Sequence, residues 1–463
     1  MTNTLPSRSG RARDSAVGQR RRKRTATDIG LALLTPLVGQ EFLDRHGLRT
    51  PLNRGLQYGV KQVFSAAGAT TRQFGRVSGR TKPAVRLTSP PHADYFDLTP
   101  DDDQKMIVET VKEFAEEILR PAASAADDAA AHPADLVTKA AELGITAIKV
   151  PEEFDGIAEN RTAVTNALVA EALAYGDIGL ALPILAPGGV ASALTHWGGA
   201  DQQATYLPAF AGDTVPQACL TIAEPHPLFD PTALKTTAVR TPGGYRLDGI
   251  KSLVPAAADA ELFVIAAHLN GRPALFIVES DTAGLTVRPD RSMGLRAAAL
   301  GQIELHNVSV PLAARLGEAD VTDADDARAY SEAIALSRLG WAALAVGTSH
   351  AVLDYVLPYV KEREAFGEPV ARRQSVAFMC ADIAIELDGL RLITWRGAAR
   401  ADRGLPFARE AALAKKFGTD KAMRIGLDGV QLLGGHGYTK EHPVERWYRD
   451  LRAIGVAEGV VVL

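Results

Sequence analysis

The sequence predicts an α+β protein in which a helical segment, a β-rich segment and a second helical segment follow one another. Apolar residues recur at three- and four-residue spacing from about residue 99 to 216 and again from about residue 325, as on one face of a helix. Between them, residues 217–318 carry short strand-like runs separated by Gly, Pro and Asp. We therefore expect four parts: a basic extension and linker (1–93), a helical domain (94–216), a middle β domain (217–318) and a C-terminal helical domain (319–463).

The extension differs from the rest in charge. Residues 1–88 contain 17 Lys and Arg against 4 Asp and Glu, including the basic run at residues 20–24, although the whole chain has a net charge of −4. No signal-peptide core with a cleavage site follows, so a cytoplasmic location is expected. One interpretation is a basic amphipathic anchor in peripheral contact with an anionic membrane, at its inner face. The other is a helical arm on the protein's own surface or on a partner subunit; no specific nucleic-acid binding is expected.

The first helical segment opens at Pro100, where three aspartates favour a helix N-terminus. In the middle segment, the strand-like runs share β-branched or apolar residues between turn signals: Tyr245–Leu247, Leu262–Ala267, Pro273–Val278, 284–287 and 302–305. The last segment begins with one long apolar stripe, which Pro358 is expected to kink near its end. Two further long helices are predicted over 378–392 and Ala408–Leu433.

Composition excludes several classes of protein. With 463 residues, 46% hydrophobic and 23% charged, the chain can bury a sizeable core. Apolar stretches are interrupted before the ~20 residues that a membrane-spanning helix needs. Two cysteines, Cys219 and Cys380, cannot form a disulfide framework or a four-cysteine zinc site, and no metal site is expected.

Several motifs in order give the chain a resemblance to the acyl-CoA dehydrogenase flavoproteins. The strongest are RGAARADRG at 396–404, EAALAKKFGTDKA at 410–422, VQLLGGHGYTKEHPVERWYRD at 430–450 and the EG pair at 458–459, with weaker echoes such as KVPEEFDG at 149–156 and LTIAEP at 220–225. The resemblance implies an N-terminal helical domain, a β-barrel-like middle domain and a C-terminal four-helix bundle. It also implies FAD, an acyl-CoA substrate, an electron-transfer flavoprotein as partner, and a homodimer or homotetramer.

By the same resemblance, Glu458 is the catalytic base that removes the α proton of the substrate. Without the resemblance, a Glu at this place could be an ordinary solvated residue. Gly459 and Arg338 are the expected substrate-binding residues, Arg338 alternatively being a buried structural charge. Some relatives carry the base directly before that Arg, where this chain has Ser337. A carboxylate suits this role when burial raises its proton affinity.

The resemblance also implies a set of FAD-binding residues. Arg363 and Phe366 belong to an R-x-x-F-G motif whose Arg would reach the pyrophosphate of the partner's FAD, and a guanidinium fork suits a diphosphate. Alternatively, Arg363 is only a helix C-terminal residue, and the glycines of the QLLGGHG segment only a helix cap. The remaining expected cofactor residues are Thr221, Gln374, Gln431, Gly434 and Gly435.

Four positions depart from the family pattern where the flavin ring would lie. Phe229 stands in place of a small Ser, Leu253 and Pro255 interrupt the W-I-T/S segment, and Val460 replaces Thr after Glu-Gly. Pro255 offers neither a hydroxyl nor an N–H. The leading hypothesis is FAD-dependent α,β-dehydrogenation of a long-chain or unusual acyl-CoA. The alternative is a non-catalytic subunit or scaffold of this fold with weakened or lost FAD binding; a flavin oxidase or monooxygenase is a third.

Overall fold

The computed structural model describes residues 98–158, 163–212 and 214–463. The basic extension, with its membrane-anchor and arm interpretations, lies outside these described residues. Helix α1 (Asp102–Phe114) begins at a capping box, in which Asp101 accepts from the Gln104 N–H at 2.8 Å and the Gln104 side chain accepts from the Asp101 N–H at 3.1 Å. The other helices of this domain are α2 (Arg120–Ala129), α3 (Leu136–Glu142), α4 (Ala163–Gly176), α5 (Ile178–Trp197) and α6 (Ala200–Ala211).

Helix α5 is the one described helix that is long and apolar enough to span a membrane by length and composition. The expectation that apolar stretches stop short of this length was wrong here, because Pro183, Pro187 and the following glycines interrupt the apolar sequence without ending the helix. Of its apolar window, 94% is buried inside the protein. Helix α5 is therefore a central core helix against which the other parts pack.

The middle segment forms a single seven-stranded sheet. Its order is β1-β4-β2-β3-β7-β6, and β5 pairs with β4. The strands are β1 (Ala218–Thr221), β2 (Thr237–Thr241), β3 (Gly244–Val254), β4 (Leu262–Leu269), β5 (Arg272–Glu279), β6 (Leu285–Pro289) and β7 (Gly301–Pro311). Strand β4 lies parallel to β1 and β2, and the remaining pairs are antiparallel.

Three long helices dominate the C-terminal segment. These are α7 (Asp323–Glu362), α8 (Gln374–Asp402) and α9 (Ala408–Leu433), with a short hairpin of β8 (Glu364–Ala365) and β9 (Glu368–Pro369) between the first two and α10 (Val444–Leu451) at the end. Helix α7 continues through Pro358 for one more turn. Together with the preceding domains, this arrangement confirms the predicted fold.

A buried charge network joins α5 to α10. Asp177 caps α5 by accepting from the Leu180 N–H, and its other oxygen pairs with Arg446 Nε at 3.0 Å. Asp450 accepts from the Leu295 N–H at 2.6 Å. Burial, with the Asp177 carboxylate nearby, raises the pKa of Asp450 to about 8. The network fixes the helix that leads directly into the Glu458 segment.

Candidate active site and nucleotide cavity

A cavity of about 550 Å³ lies where the end of α7, the β8–β9 hairpin, the start of α8 and the end of α9 meet. Its lining includes five of the predicted cofactor residues: Arg363, Phe366, Gln431, Gly434 and Gly435. A Cβ atom built on either glycine would meet nothing within 4 Å, so the bare main chain faces open space. Gly434 also has φ +60°, a conformation that favours glycine.

The chemistry of this cavity suits the ADP half of a dinucleotide. Phe366 is 93% exposed, and its main chain has φ +57°. The guanidinium of Arg373 lies 5.0 Å from the centroid of the Phe366 ring. Arg363 adds a second guanidinium at the end of α7. One guanidinium group can bind two phosphate oxygens at once, and an exposed aromatic ring can stack on a nucleotide base. These residues therefore fit the nucleotide end of FAD.

Two other predicted cofactor residues lie outside this lining. Gln374 is the exposed first residue of α8, directly beside Arg373. Thr221 is buried at the end of β1, and its hydroxyl donates to the Val264 carbonyl at 3.3 Å. Sequence reasoning missed Arg373, and it gave no role to His436, which also lines the cavity and whose Nδ1 lies 3.1 Å from the Tyr359 hydroxyl.

Glu458 is buried at 8% exposure and held by two cations. Arg338, on α7, places Nε 3.2 Å and 3.4 Å from the two carboxylate oxygens, and its Nη2 lies 3.2 Å from Oε1. Lys415, on α9, has its Nζ 3.8 Å from Oε1 and also donates to the Ala457 carbonyl. Arg338, predicted as a substrate-binding residue, thus lies adjacent to the predicted base, whereas the contribution of Lys415 was not predicted.

Burial lowers the pKa of Lys415 to about 8; the Glu458 carboxylate opposes that shift and the Arg338 guanidinium adds to it. The ammonium therefore loses its proton only a little above neutral pH. Its two acceptors are consecutive residues, so Lys415 ties both the main chain and the side chain of the Glu458 segment to α9.

The turn after Glu458 has an unusual main-chain geometry. Gly459 has φ +79°, and Val460 has φ +66°, which is strained for a β-branched residue. Neighbouring groups hold the turn: Ser337 Oγ and Trp341 Nε1 donate to the Gly459 carbonyl at 2.7 Å and 2.9 Å. The Val460 N–H donates to the Leu220 carbonyl at 2.9 Å, which links the turn to β1.

Helix α5 approaches this turn closely. A Cβ atom on Gly189 would lie 2.0 Å from the Val460 carbonyl oxygen, so only glycine fits there. Two residues on, the Val462 carbonyl accepts from Lys149 Nζ at 2.5 Å and from Ser192 Oγ at 3.3 Å. Burial lowers the pKa of Lys149 to about 7. The segment after Glu458 is therefore fixed on both sides.

At the end of β3, where the resemblance places the flavin ring, two of the N–H groups are already bonded within the protein. Leu253 has φ +57°, and its N–H donates to Asp290 Oδ2 at 3.0 Å. Pro255 has no N–H, and the Ala256 N–H donates to the Ala298 carbonyl at 2.8 Å. Phe229 is half-buried, with its ring 5.4 Å from that of His226. The residues here fit a flavin less well than those of the nucleotide cavity fit ADP.

Fold and sites together define a nucleotide-binding protein with a buried carboxylate held between its helical and β domains. Family models match all three parts: acyl-CoA dehydrogenase N-terminal domain at residues 101–213, middle domain at 219–308 and C-terminal domain at 327–460. The chain belongs to the acyl-CoA dehydrogenase family. It is accordingly an FAD-dependent oxidoreductase acting on CH–CH bonds.

Individual relatives agree with this assignment. An acyl-CoA dehydrogenase of Bacillus subtilis is 31% identical over 364 residues, covering 77% of this chain and 94% of the relative. Butyryl-CoA dehydrogenase from Megasphaera elsdenii is similar in structure, with a TM-score of 0.70, 26% identity and coverage of 78% of this chain and 95% of the other. The structure of PigA with FAD and proline gives a TM-score of 0.71 at 25% identity, covering 78% and 95%.

Proposed function

We propose that the protein catalyses α,β-dehydrogenation of an acyl-CoA thioester with Glu458 as the base. The carboxylate takes the α proton, the electron pair of that C–H bond forms the new double bond, and the β hydrogen leaves as hydride. FAD, when bound, accepts that hydride. The observation that carries the proposal is the buried carboxylate of Glu458 on a main-chain turn that α7 and β1 hold in place.

The surrounding residues have supporting roles. Arg338 and Lys415 orient the carboxylate, and Arg338 is partly exposed, so it is able to meet the substrate as well. The Glu458 N–H donates to no other part of the described main chain, which leaves it for the thioester oxygen. A donor at that oxygen stabilises the enolate charge that develops as the α proton leaves.

The finer assignments extend the resemblance. We propose an electron-transfer flavoprotein as electron acceptor and a homodimer in which the nucleotide cavity of one protomer serves the flavin of the other. A long-chain or otherwise unusual acyl group is proposed as substrate, because Phe229 stands where the family pattern has a small residue and so changes the shape of the loop after β1. Turnover of acyl-CoA thioesters of increasing chain length tests this assignment.

A second candidate function rests on the turn after β3. There the Leu253 N–H is bonded to Asp290 and Pro255 offers no donor, so flavin ring contacts common in the family have no counterpart. Each unmatched polar contact costs about 1–3 kcal/mol. A family-fold subunit or scaffold with weakened FAD binding, working through assembly, is the function that this turn favours.

Replacement of Glu458 by Gln tests the base directly. Glu458→Gln keeps the shape and the hydrogen bond from Arg338 but cannot take a proton, so we expect FAD binding and thermal unfolding like wild type with no bleaching of the flavin band by acyl-CoA. Glu441→Gln, at an exposed position, is the matched control. Unchanged turnover in Glu458→Gln would exclude Glu458 as the base.

A further inference from the structure

The nucleotide cavity contains a guanidinium that the family motifs do not explain. Arg373 is the residue before α8, and its side chain extends over the Phe366 ring towards the β8–β9 hairpin, with Nη2 3.5 Å from the Ala365 carbonyl. The Arg363 guanidinium lines the same cavity. Two arginines therefore line the same cavity as Gly434 and Gly435, whose missing side chains leave open space.

Within the described part of the chain, neither arginine has a counter-ion. Among the described residues, no carboxylate forms an ion pair with Arg363 or Arg373, although many other arginines of the chain are paired, including Arg338 and Arg449. The rest of the lining is largely apolar, with Val370, Val376, Met379 and Leu432 among its members. Two unpaired positive charges over an apolar floor fit a ligand that brings two negative charges, such as a diphosphate.

The expected flavin-ring end of the cofactor site offers few free polar groups, in contrast to the nucleotide end. The turn after β3 has its Leu253 and Ala256 N–H groups bonded within the protein, and Pro255 has none. A flavin ring there gains few hydrogen bonds from the main chain. The nucleotide end therefore offers more polar contacts to the cofactor than this end does.

We propose that Arg373 is a second diphosphate-binding residue, and that the ADP half of FAD supplies most of the cofactor's affinity for this protein. Arg363 and Arg373 each bind phosphate oxygens, and the Phe366 ring holds the Arg373 guanidinium in position by stacking against it. The inference rests on the FAD site of the proposed function but not on Glu458 or on the identity of the acyl-CoA.

The test is the dissociation constant of FAD, measured by quenching of flavin fluorescence on the full-length protein after its FAD has been removed. Arg373→Gln removes one charge-assisted phosphate contact, so we expect FAD to bind about 10- to 100-fold more weakly and with a shallower salt dependence. Arg373→Lys keeps the positive charge but not the two-pronged guanidinium geometry, so we expect it to recover part of the FAD affinity that Arg373→Gln loses. Arg372→Gln, an exposed neighbour outside the lining, is the matched control and leaves the constant unchanged.

Two ligands separate the halves of the cofactor. We expect ADP to compete with FAD on wild type and to lose this ability in Arg373→Gln, whereas riboflavin, which lacks the whole ADP half and so has no phosphate, binds weakly and equally to all variants. Wild-type affinity for FAD in Arg373→Gln, or equal weakening of FAD and riboflavin, would overturn the inference and leave the proposed function standing. A wild-type protein that binds neither FAD nor ADP would overturn both.

Discussion

The buried ammonium of Lys415 makes a prediction about how stability depends on pH. Lys415 is almost enclosed beside Glu458, and burial lowers the pKa of its ammonium from 10.5 to about 8. In the unfolded chain the ordinary pKa near 10.5 returns. A difference of about 2.5 pKa units corresponds to about 3 kcal/mol of free energy of unfolding.

The sign follows from the protons bound in each state. Below pH 8 the lysine is charged in both states, so the full cost of burying the ammonium is present. Between about pH 8 and 10.5 the native state has released the proton while the unfolded state keeps it, and the unfolded state binds more protons. Stability due to this group therefore rises as pH rises through that window.

Lys415→Met removes this dependence while keeping an apolar side chain of similar length. The assay is urea unfolding of wild type and variant at intervals between about pH 7 and 10. We expect the free energy of unfolding of wild type, relative to the variant, to increase by about 2–3 kcal/mol across that range. Because Lys149 and the other titrating groups are common to both proteins, their contributions cancel. A difference that stays constant or falls with pH would refute the reasoning.

Two further substitutions test the packing around the Glu458 segment. Gly189→Ala places a Cβ 2.0 Å from the Val460 carbonyl oxygen and should cost about 1–3 kcal/mol and displace the turn. In Gly188→Ala the nearest atom to the new Cβ is Lys149 Cδ at 3.0 Å, so a smaller shift and a smaller loss are expected. Equal thermal stability of the two variants would contradict this. Arg446→Met leaves the buried Asp177 without its cation and should cost about 3–5 kcal/mol, against less than about 1 kcal/mol for Arg328→Met at the exposed pair with Asp325. A urea titration that ranks the two variants the other way would show the network to be unimportant.

Periodicity was sufficient to predict the order of helices and strands, but it failed for two strands. Strand β1, Ala218–Thr221, is buried at all four residues and so lacks the alternation that marks a half-buried strand. Strand β2, Thr237–Thr241, has a single buried residue. Helix α8 extends beyond the predicted 378–392 to Gln374–Asp402, because its last turns are small Ala and Gly residues that carry little apolar signal.

Some residues of the two candidate sites could be predicted from the sequence and others could not. Glu458, Arg363 and the glycines at 434–435 lie in local motifs, so the sequence could single them out. Lys415 could not be assigned, because its contact with Glu458 joins residues 43 apart that only the packing of α9 brings together. The occupied N–H of Leu253 likewise depends on Asp290, which lies on another loop. Distant contacts of this kind depend on the fold and leave no spacing in the sequence.

The central claim, that this chain is a working FAD-dependent acyl-CoA dehydrogenase, is tested most directly by one spectrum. We would record the visible absorption of the purified protein before and after anaerobic addition of a long-chain acyl-CoA. The account predicts flavin bands that bleach as the substrate is oxidised. A colourless protein that takes up no added FAD, or flavin bands unchanged by every acyl-CoA tried, would contradict it and favour the scaffold function.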